Sequence, residues 1–304
     1  MIHRYEHNKT TWLEVVSPTS DEIREIVEEC GIPLEYANDL TTITPKTEVF
    51  SSKGFFKITL DFPIVKRTDI KHPHEIKFLA TKSHFITIRF DEIEAVHRFT
   101  KEYEVLCMLG DTAKKRTRTD LLFLTMLNYL YVAMHAKLDH LEIRLKDIEE
   151  DIFDGHEKEM VFELSQIGRR LISFRQTIGA HENALNKLRA ALGVAFGKTN
   201  EPKIEELEHH YRSLNRHLYA LNSVLDDLKD TNNALLTTKQ NEIMKIFTIL
   251  AFITFPLTLF TSMFGMNTVT TPIVGNEGDF WIILSIMGVV SVSFFAYFKH
   301  KDWI

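Results

Sequence analysis

Cysteine is nearly absent from this chain: Cys30 and Cys107 are its two cysteines in 304 residues, and neither has a second cysteine nearby. A disulfide framework and a cysteine-based metal centre are thereby excluded. No GxxxxGK[ST] phosphate loop, nucleophile elbow or dinucleotide fingerprint occurs, and the 14 histidines are scattered. The reading is a protein that is not an enzyme and needs no organic cofactor. Glycine and proline are missing from Lys203 to Phe255, so nothing there interrupts a helix. Charge is missing from two runs, Ile246–Phe264 (IFTILAFITFPLTLFTSMF) and Phe280–Phe298 (FWIILSIMGVVSVSFFAYF). About 20 apolar residues span the hydrocarbon core of a bilayer, and charge-free runs of this length argue for two membrane spans. The polar opening MIHRYEHNKT reads against a secretory signal.

The totals conceal this segregation. With 44% hydrophobic and 26% charged residues and a net charge of −6, the composition matches an average soluble protein. The apolar residues are concentrated at the C-terminal end instead. Lys239 and Lys245 precede the first run, Lys299 and Lys301 follow the second, and Thr268–Asp279 between them has no Lys or Arg. The positive-inside rule then places both termini in the cytoplasm and the short loop, with its acids Glu277 and Asp279, outside. The expected location is the cell (inner or plasma) membrane, with lipid as a partner.

Residues 1–115 read as a cytoplasmic α/β domain. TWLEVV (11–16) is strand-like, and Thr19-Ser20-Asp21-Glu22 resembles a capping box opening a helix that runs to Gly31. Three β-rich runs follow, Glu48–Ser52, Phe55–Val65 and Ile76–Phe90, the last broken near Lys82-Ser83. The cluster Lys114, Lys115, Arg116 and Arg118 lacks interleaved aromatics, so no nucleic-acid partner is expected. Residues 116–200 read as a helical hairpin, Leu121–Phe153 and Met160–Val194, turning at Asp154-Gly155-His156. Its tip is acidic (Asp147, Glu149, Glu150, Asp151, Asp154, Glu157 and Glu159 against Lys158), either a solvated turn or a surface that attracts cations. A stalk over 201–245 continues into a first transmembrane helix at 246–267, followed by an external loop at 268–279, a second span at 280–298 and a basic tail at 299–304. Unbroken from Lys203 to Phe264, the long helix would reach roughly 90 Å, too long to be stable without partners.

That helix carries a regular stripe. Asn241, Met244, Thr248, Ala251, Phe255, Thr258 and Ser262 follow at alternating steps of 3 and 4, and the same seam runs back through Thr237 and Ala234 to Asp230. Polar residues in hydrocarbon normally face a protein interior or a water-filled cavity. Threonine and serine can also satisfy themselves on a neighbouring helix or on their own backbone. A regular stripe ending at the mouth in FGMN favours a pore. Two spans cannot enclose one, so several copies must line a common axis. Pro256 frees the carbonyl of Phe252, which kinks or loosens the helix beside Phe255 and Thr258.

A pair of C-terminal spans joined by a short loop, with Gly-Met-Asn closing the first and a basic tail (FKHKDWI) after the second, resembles the CorA family of divalent-cation channels. The motif-level resemblance covers roughly Asp230–Ile304. It implies a funnel-shaped homopentamer that takes up Mg²⁺, and in some members Co²⁺ or Ni²⁺, driven by the membrane potential. It further implies a selectivity filter at Gly265, Met266 and Asn267, and pore-lining positions at Asp230, Asn241, Met244, Thr248, Phe255, Thr258 and Ser262. The implied hydrophobic gate is Met244 with Phe247. Regulatory Mg²⁺ bound between cytoplasmic domains would involve Glu206, with Asp69 as its partner. Two departures stand out: Phe264 replaces the family's usual Tyr, and TVTTPIVGNEGDFW replaces its Met-Pro-Glu-Leu stretch. The alternatives are a Zn²⁺ transporter of the same superfamily, with His72-Pro73-His74-Glu75 and His209-His210 as candidate ligand clusters, and a membrane-anchored helical scaffold or signalling protein. Met266 argues against the first, and a polar seam continuing into the bilayer argues against the second.

Overall fold

The structure is a computed structural model and describes residues 1–7, 10–44, 47–63, 74–109, 118–197, 200–266, 272–275, 277–301 and 303. The chain divides into two compact units, Met1–Lys229 and Asp230–Ile304.

In the first unit an α/β domain is built on one six-stranded sheet. Its strands are β1 (Ile2–His7), β2 (Thr10–Val16), β3 (Glu48–Ser52), β4 (Phe55–Phe62), β5 (His74–Thr81) and β6 (His84–Arg89), in spatial order β1-β2-β6-β5-β4-β3. Neighbours are antiparallel except β2 and β6, which run parallel with Leu13 opposite Ile86. The interruption expected near Lys82-Ser83 is the turn between β5 and β6. β1 gives no apolar alternation in the sequence, because its side chains are mostly polar and none is fully buried, which suits an edge strand.

Helix α1 (Ser20–Cys30) has the capping box read from the sequence. The Thr19 hydroxyl accepts from the Glu22 N–H at 3.3 Å, and the Glu22 carboxylate accepts from the Thr19 N–H at 2.8 Å. Gly31 ends the helix in the left-handed region at φ 63°. The helix lays Ile23, Ile26, Val27 and Cys30 over Leu13, Val15, Leu79, Ile86 and Ile88 on one face of the sheet. The other face is aromatic, with Trp12, Phe56, Phe78 and Phe85 gathered around Phe123 and Phe99 from the helices that cover it.

Those helices are α2 (Glu94–Leu109), α3 (Thr119–Phe153) and α4 (Glu157–Phe196). Helix α3 rests on β5 and β6, and α4 on β3 and β4. The two long helices turn over at Asp154, Gly155 (φ 97°) and His156. Both present buried residues at alternating steps of 3 and 4: Leu127, Tyr131, Met134, Leu138 and Leu141 on α3, and Leu164, Ile167, Leu171, Phe174 and Ile178 on α4. The seam is that of a left-handed helical bundle. The third helix of the bundle is the first part of α5 (Glu201–Phe264), which buries Leu207, Leu214, Leu218, Leu221, Leu225 and Leu228 at the same spacing. At one point α4 and α5 come close enough that a Cβ on Gly168 would stand 3.3 Å from the Leu225 side chain.

The second unit holds the rest of α5, unbroken through Pro256, and α6 (Asp279–His300). Here Phe298 of α6 is buried and its ring lies 6.1 Å from that of Phe252.

Candidate functional site

Three described helices are long and apolar enough to cross a membrane by length and composition: α3, α5 and α6. Burial separates them. More than half of the apolar window of α3 is packed inside the first unit, whereas almost none of the windows of α5 and α6 is buried. An exposed apolar surface this extensive requires an apolar surrounding. The two runs singled out for their missing charge are therefore the two that the chain itself leaves uncovered.

Along α5 two seams run at the same 3-and-4 spacing but out of register by two residues. Leu228 is the last leucine of the buried seam, and Asp230 is the first residue of the polar one. Asp230, Asn241, Met244, Phe255, Thr258 and Ser262 are all exposed, and Thr248 is half-buried. Phe247, three residues on from Met244, is exposed as well. Among the described residues of one chain, then, all of these side chains except Thr248 stand exposed.

The hydroxyls on this helix are arranged alike. Thr248 donates to the Met244 carbonyl at 2.7 Å, Thr254 to Leu250 at 2.8 Å and Thr258 to Thr254 at 2.9 Å. Self-satisfaction of this kind keeps a threonine tolerable in hydrocarbon. It also fixes which half of the hydroxyl is left over: with its proton on the backbone, each oxygen offers only acceptor lone pairs.

After the last turn of α5, the Gly265 N–H still reaches the Thr261 carbonyl at 2.9 Å, and Met266 follows the Met263 carbonyl at 3.5 Å. A Cβ on Gly265 would stand 3.0 Å from that Thr261 oxygen, so the backbone passes where a side chain would crowd it. Asn267 lies outside the described residues. Beyond it, Glu277 is exposed in the turn before α6. Asp279 opens α6, and its carboxylate accepts from the Gly275 and Phe280 N–H groups. The bond from Gly275, and then that from Phe280, hold its pKa below the usual carboxylate value. Its carboxylate thus braces the turn.

The remaining candidates are dispersed. Glu206 is exposed on α5 and pairs with Lys203 one turn earlier at 2.8 Å. Asp69 lies outside the described residues, as do His72, Pro73, Lys114, Lys115 and Arg116. His74 pairs with Asp91 at 2.8 Å, while the neighbouring Glu75 pairs with Lys77 at 3.1 Å, so these two do not converge. His210 stands near His135 of α3, rings 6.3 Å apart, an association that no spacing in the sequence announces.

Comparison with known proteins covers nearly the whole chain. The model of the family described as CorA-like Mg²⁺ transporter protein matches residues 7–300. The cobalt/magnesium transport protein CorA of Thermotoga maritima is 24% identical over 303 residues, covering 97% of this chain and 83% of that protein. The protein of the same name from Methanocaldococcus jannaschii is 24% identical and covers 99% of this chain and 93% of its own length. The complete structure of the CorA magnesium transporter from Methanocaldococcus jannaschii superposes with a TM-score of 0.81 at 21% identity, over 99% of this chain and 93% of that one.

Proposed function

The chain belongs to the CorA-like Mg²⁺ transporter family, and from that premise we propose that it assembles as a membrane-embedded homopentamer conducting Mg²⁺, and also Co²⁺, inward down the membrane potential. The observation that carries this reading is the polar seam of α5, regular in spacing, mostly exposed among the described residues and followed in the sequence by Gly265-Met266-Asn267. Five copies turned inward would give that seam the watery surrounding its polar residues require.

Mg²⁺ dehydrates reluctantly and keeps an octahedral water shell. The outer surface of that shell is made of water protons, so a suitable lining offers acceptors. Thr248 and Thr258, with their protons bonded to their own backbone, offer them without a charge that would trap the ion. Five Asn267 side chains and the backbone of Gly265 would form the external ring that accepts from the same shell. Field energy for a divalent ion amounts to about 4.6 kcal/mol per 100 mV, enough to drive uptake without nucleotide hydrolysis.

At the other end of the span Met244 and Phe247 would form an apolar constriction that excludes water when the helices close. Mg²⁺ held between cytoplasmic domains, through Glu206 and Asp69, would keep it closed at high internal Mg²⁺. The exposed Lys203–Glu206 pair is weak enough to yield to a divalent ion. In this arrangement both termini lie in the cytoplasm, and Glu277 on the external turn draws cations toward the mouth.

The test is uptake of Mg²⁺ and Co²⁺ into proteoliposomes at fixed voltage, comparing the wild type with Asn267→Ala. Uptake should fall toward background in the variant. Undiminished uptake would remove Asn267 from the path, and absence of voltage-driven uptake by the wild type would overturn the proposal as a whole.

A further inference from the structure

Away from the seam, one group of side chains in the first unit is arranged as a metal site. Asp139 and Glu142 stand one turn apart on α3, and His217 faces them from α5; their ligating atoms all lie within 4.8 Å of one another. His217 directs Nε2 to a Glu142 oxygen at 3.1 Å and Nδ1 toward an Asp139 oxygen at 3.8 Å. The imidazole is mostly buried, and the ring of His135 lies 6.4 Å away, centroid to centroid, with planes 21° apart.

The three residues bring two carboxylates and an imidazole nitrogen to one point, with Nε2 the ring nitrogen nearer a carboxylate. Two ligands at about 2.1 Å from one metal lie about 3.0–3.4 Å apart, which the Nε2 to Glu142 distance already satisfies. Lys146 also pairs with Glu142, at 2.9 Å, but that pair is exposed and easily displaced.

We propose that Asp139, Glu142 and His217 bind one late first-row transition dication, of the Zn²⁺ or Co²⁺ class, and so clamp α3 to α5. An imidazole with two carboxylates suits such ions, whereas Mg²⁺ prefers oxygen alone. The site is separate from the conduction seam, and it ties a metal other than the main cargo to the helix that carries that seam.

The experiment uses the untagged full-length chain in detergent with Mg²⁺ in large excess, so that oxygen-only sites are filled, and Co²⁺ as the probe. Bound Co²⁺ per chain is counted after desalting, and its visible absorption is recorded. We expect one equivalent more in the wild type than in His217→Gln, with an intense low-symmetry spectrum that His217→Gln lacks. Loss of an outer-sphere partner alone weakens metal sites by about 10–100-fold, so Glu142→Gln should weaken binding at least that much. Should His217→Gln fail to fold, Glu142→Gln and the wild-type spectrum decide. A wild type that binds no more Co²⁺ than His217→Gln, or shows only the hydrated-ion spectrum, would leave the cluster as an ion pair and overturn the proposal.

Discussion

His181 sits where a leucine belongs. It continues the buried seam of α4 three residues after Ile178, is wholly inaccessible to solvent, and packs edge-on against Phe62 at 5.4 Å. Its Nε2 lies 2.6 Å from the Asp61 carbonyl on β4, and its Nδ1 lies 2.7 Å from the Tyr131 hydroxyl on α3. A carbonyl can only accept, so the proton is on Nε2 and Tyr131 donates to Nδ1. This is the neutral tautomer, and it joins the sheet, α3 and α4 at one point. Burial pushes the imidazole pKa from 6.5 down to about 4, opposed only by the bond to Asp61. In the unfolded chain the ring takes its proton first, so stability is intact above pH 6.5 and falls as the pH drops from there toward about 4. A shift of this size corresponds to about 3 kcal/mol. Replacement by Leu fills the seam but orphans the Tyr131 hydroxyl and the Asp61 carbonyl, which should destabilise the protein at pH 7 by about 2–4 kcal/mol. The decisive quantity is the stability difference between wild type and His181→Leu, from denaturant unfolding of the full chain at several pH values, because other titrating groups cancel in it. That difference should shrink by about 3 kcal/mol between pH 7 and pH 4. A difference that stays constant across this range would refute the assignment of a neutral, doubly bonded imidazole.

Three further outcomes are expected. Thr258→Val keeps the shape of the side chain and removes the acceptor facing the seam; a loss of about 1 kcal/mol should lower Mg²⁺ flux into liposomes about fivefold, with Thr258→Ser close to wild type. Glu14→Gln strips the charge from a buried carboxylate that accepts from Arg89 at 3.0 and 3.1 Å and from Thr100 at 3.3 Å, leaving the guanidinium uncompensated; chemical denaturation should show a loss of about 3 kcal/mol. Gly31→Ala places a Cβ in open space but at φ 63°, so a purely conformational loss of about 1 kcal/mol should appear in the same assay.

What could be read from the sequence is what depends on local order. Charge-free runs, the capping box at Thr19 and the helical period of α3, α4 and α5 reside in residues a few positions apart, and each emerged with its expected type. Strand β4 was expected to run to Val65 and ends at Phe62, with 64–65 outside the described residues; β5 starts two residues earlier than expected, at His74. Helix α2 gave no separate sign, because its apolar stripe is weak and it packs chiefly through α3 and β1.

The polar stripe was also legible, since a seam needs only its own spacing. Its exposure was not, because that depends on which side chains of α5 the folded chain covers. Long-range pairing decided the rest. The parallel register of β2 and β6 brings Glu14 to Arg89 across 75 residues, and the α3–α5 contact brings Glu142 to His217 across another 75. No periodicity encodes such meetings. Lys57 and Lys77 are charged residues within β4 and β5, yet both are buried, with Lys57 paired to Asp39 at 3.4 Å and Lys77 held by Glu75 and the carbonyls of Asp39 and Thr42. A buried charge is tolerated only where other segments supply its partners, and those partners exist only once the chain has closed over the sheet.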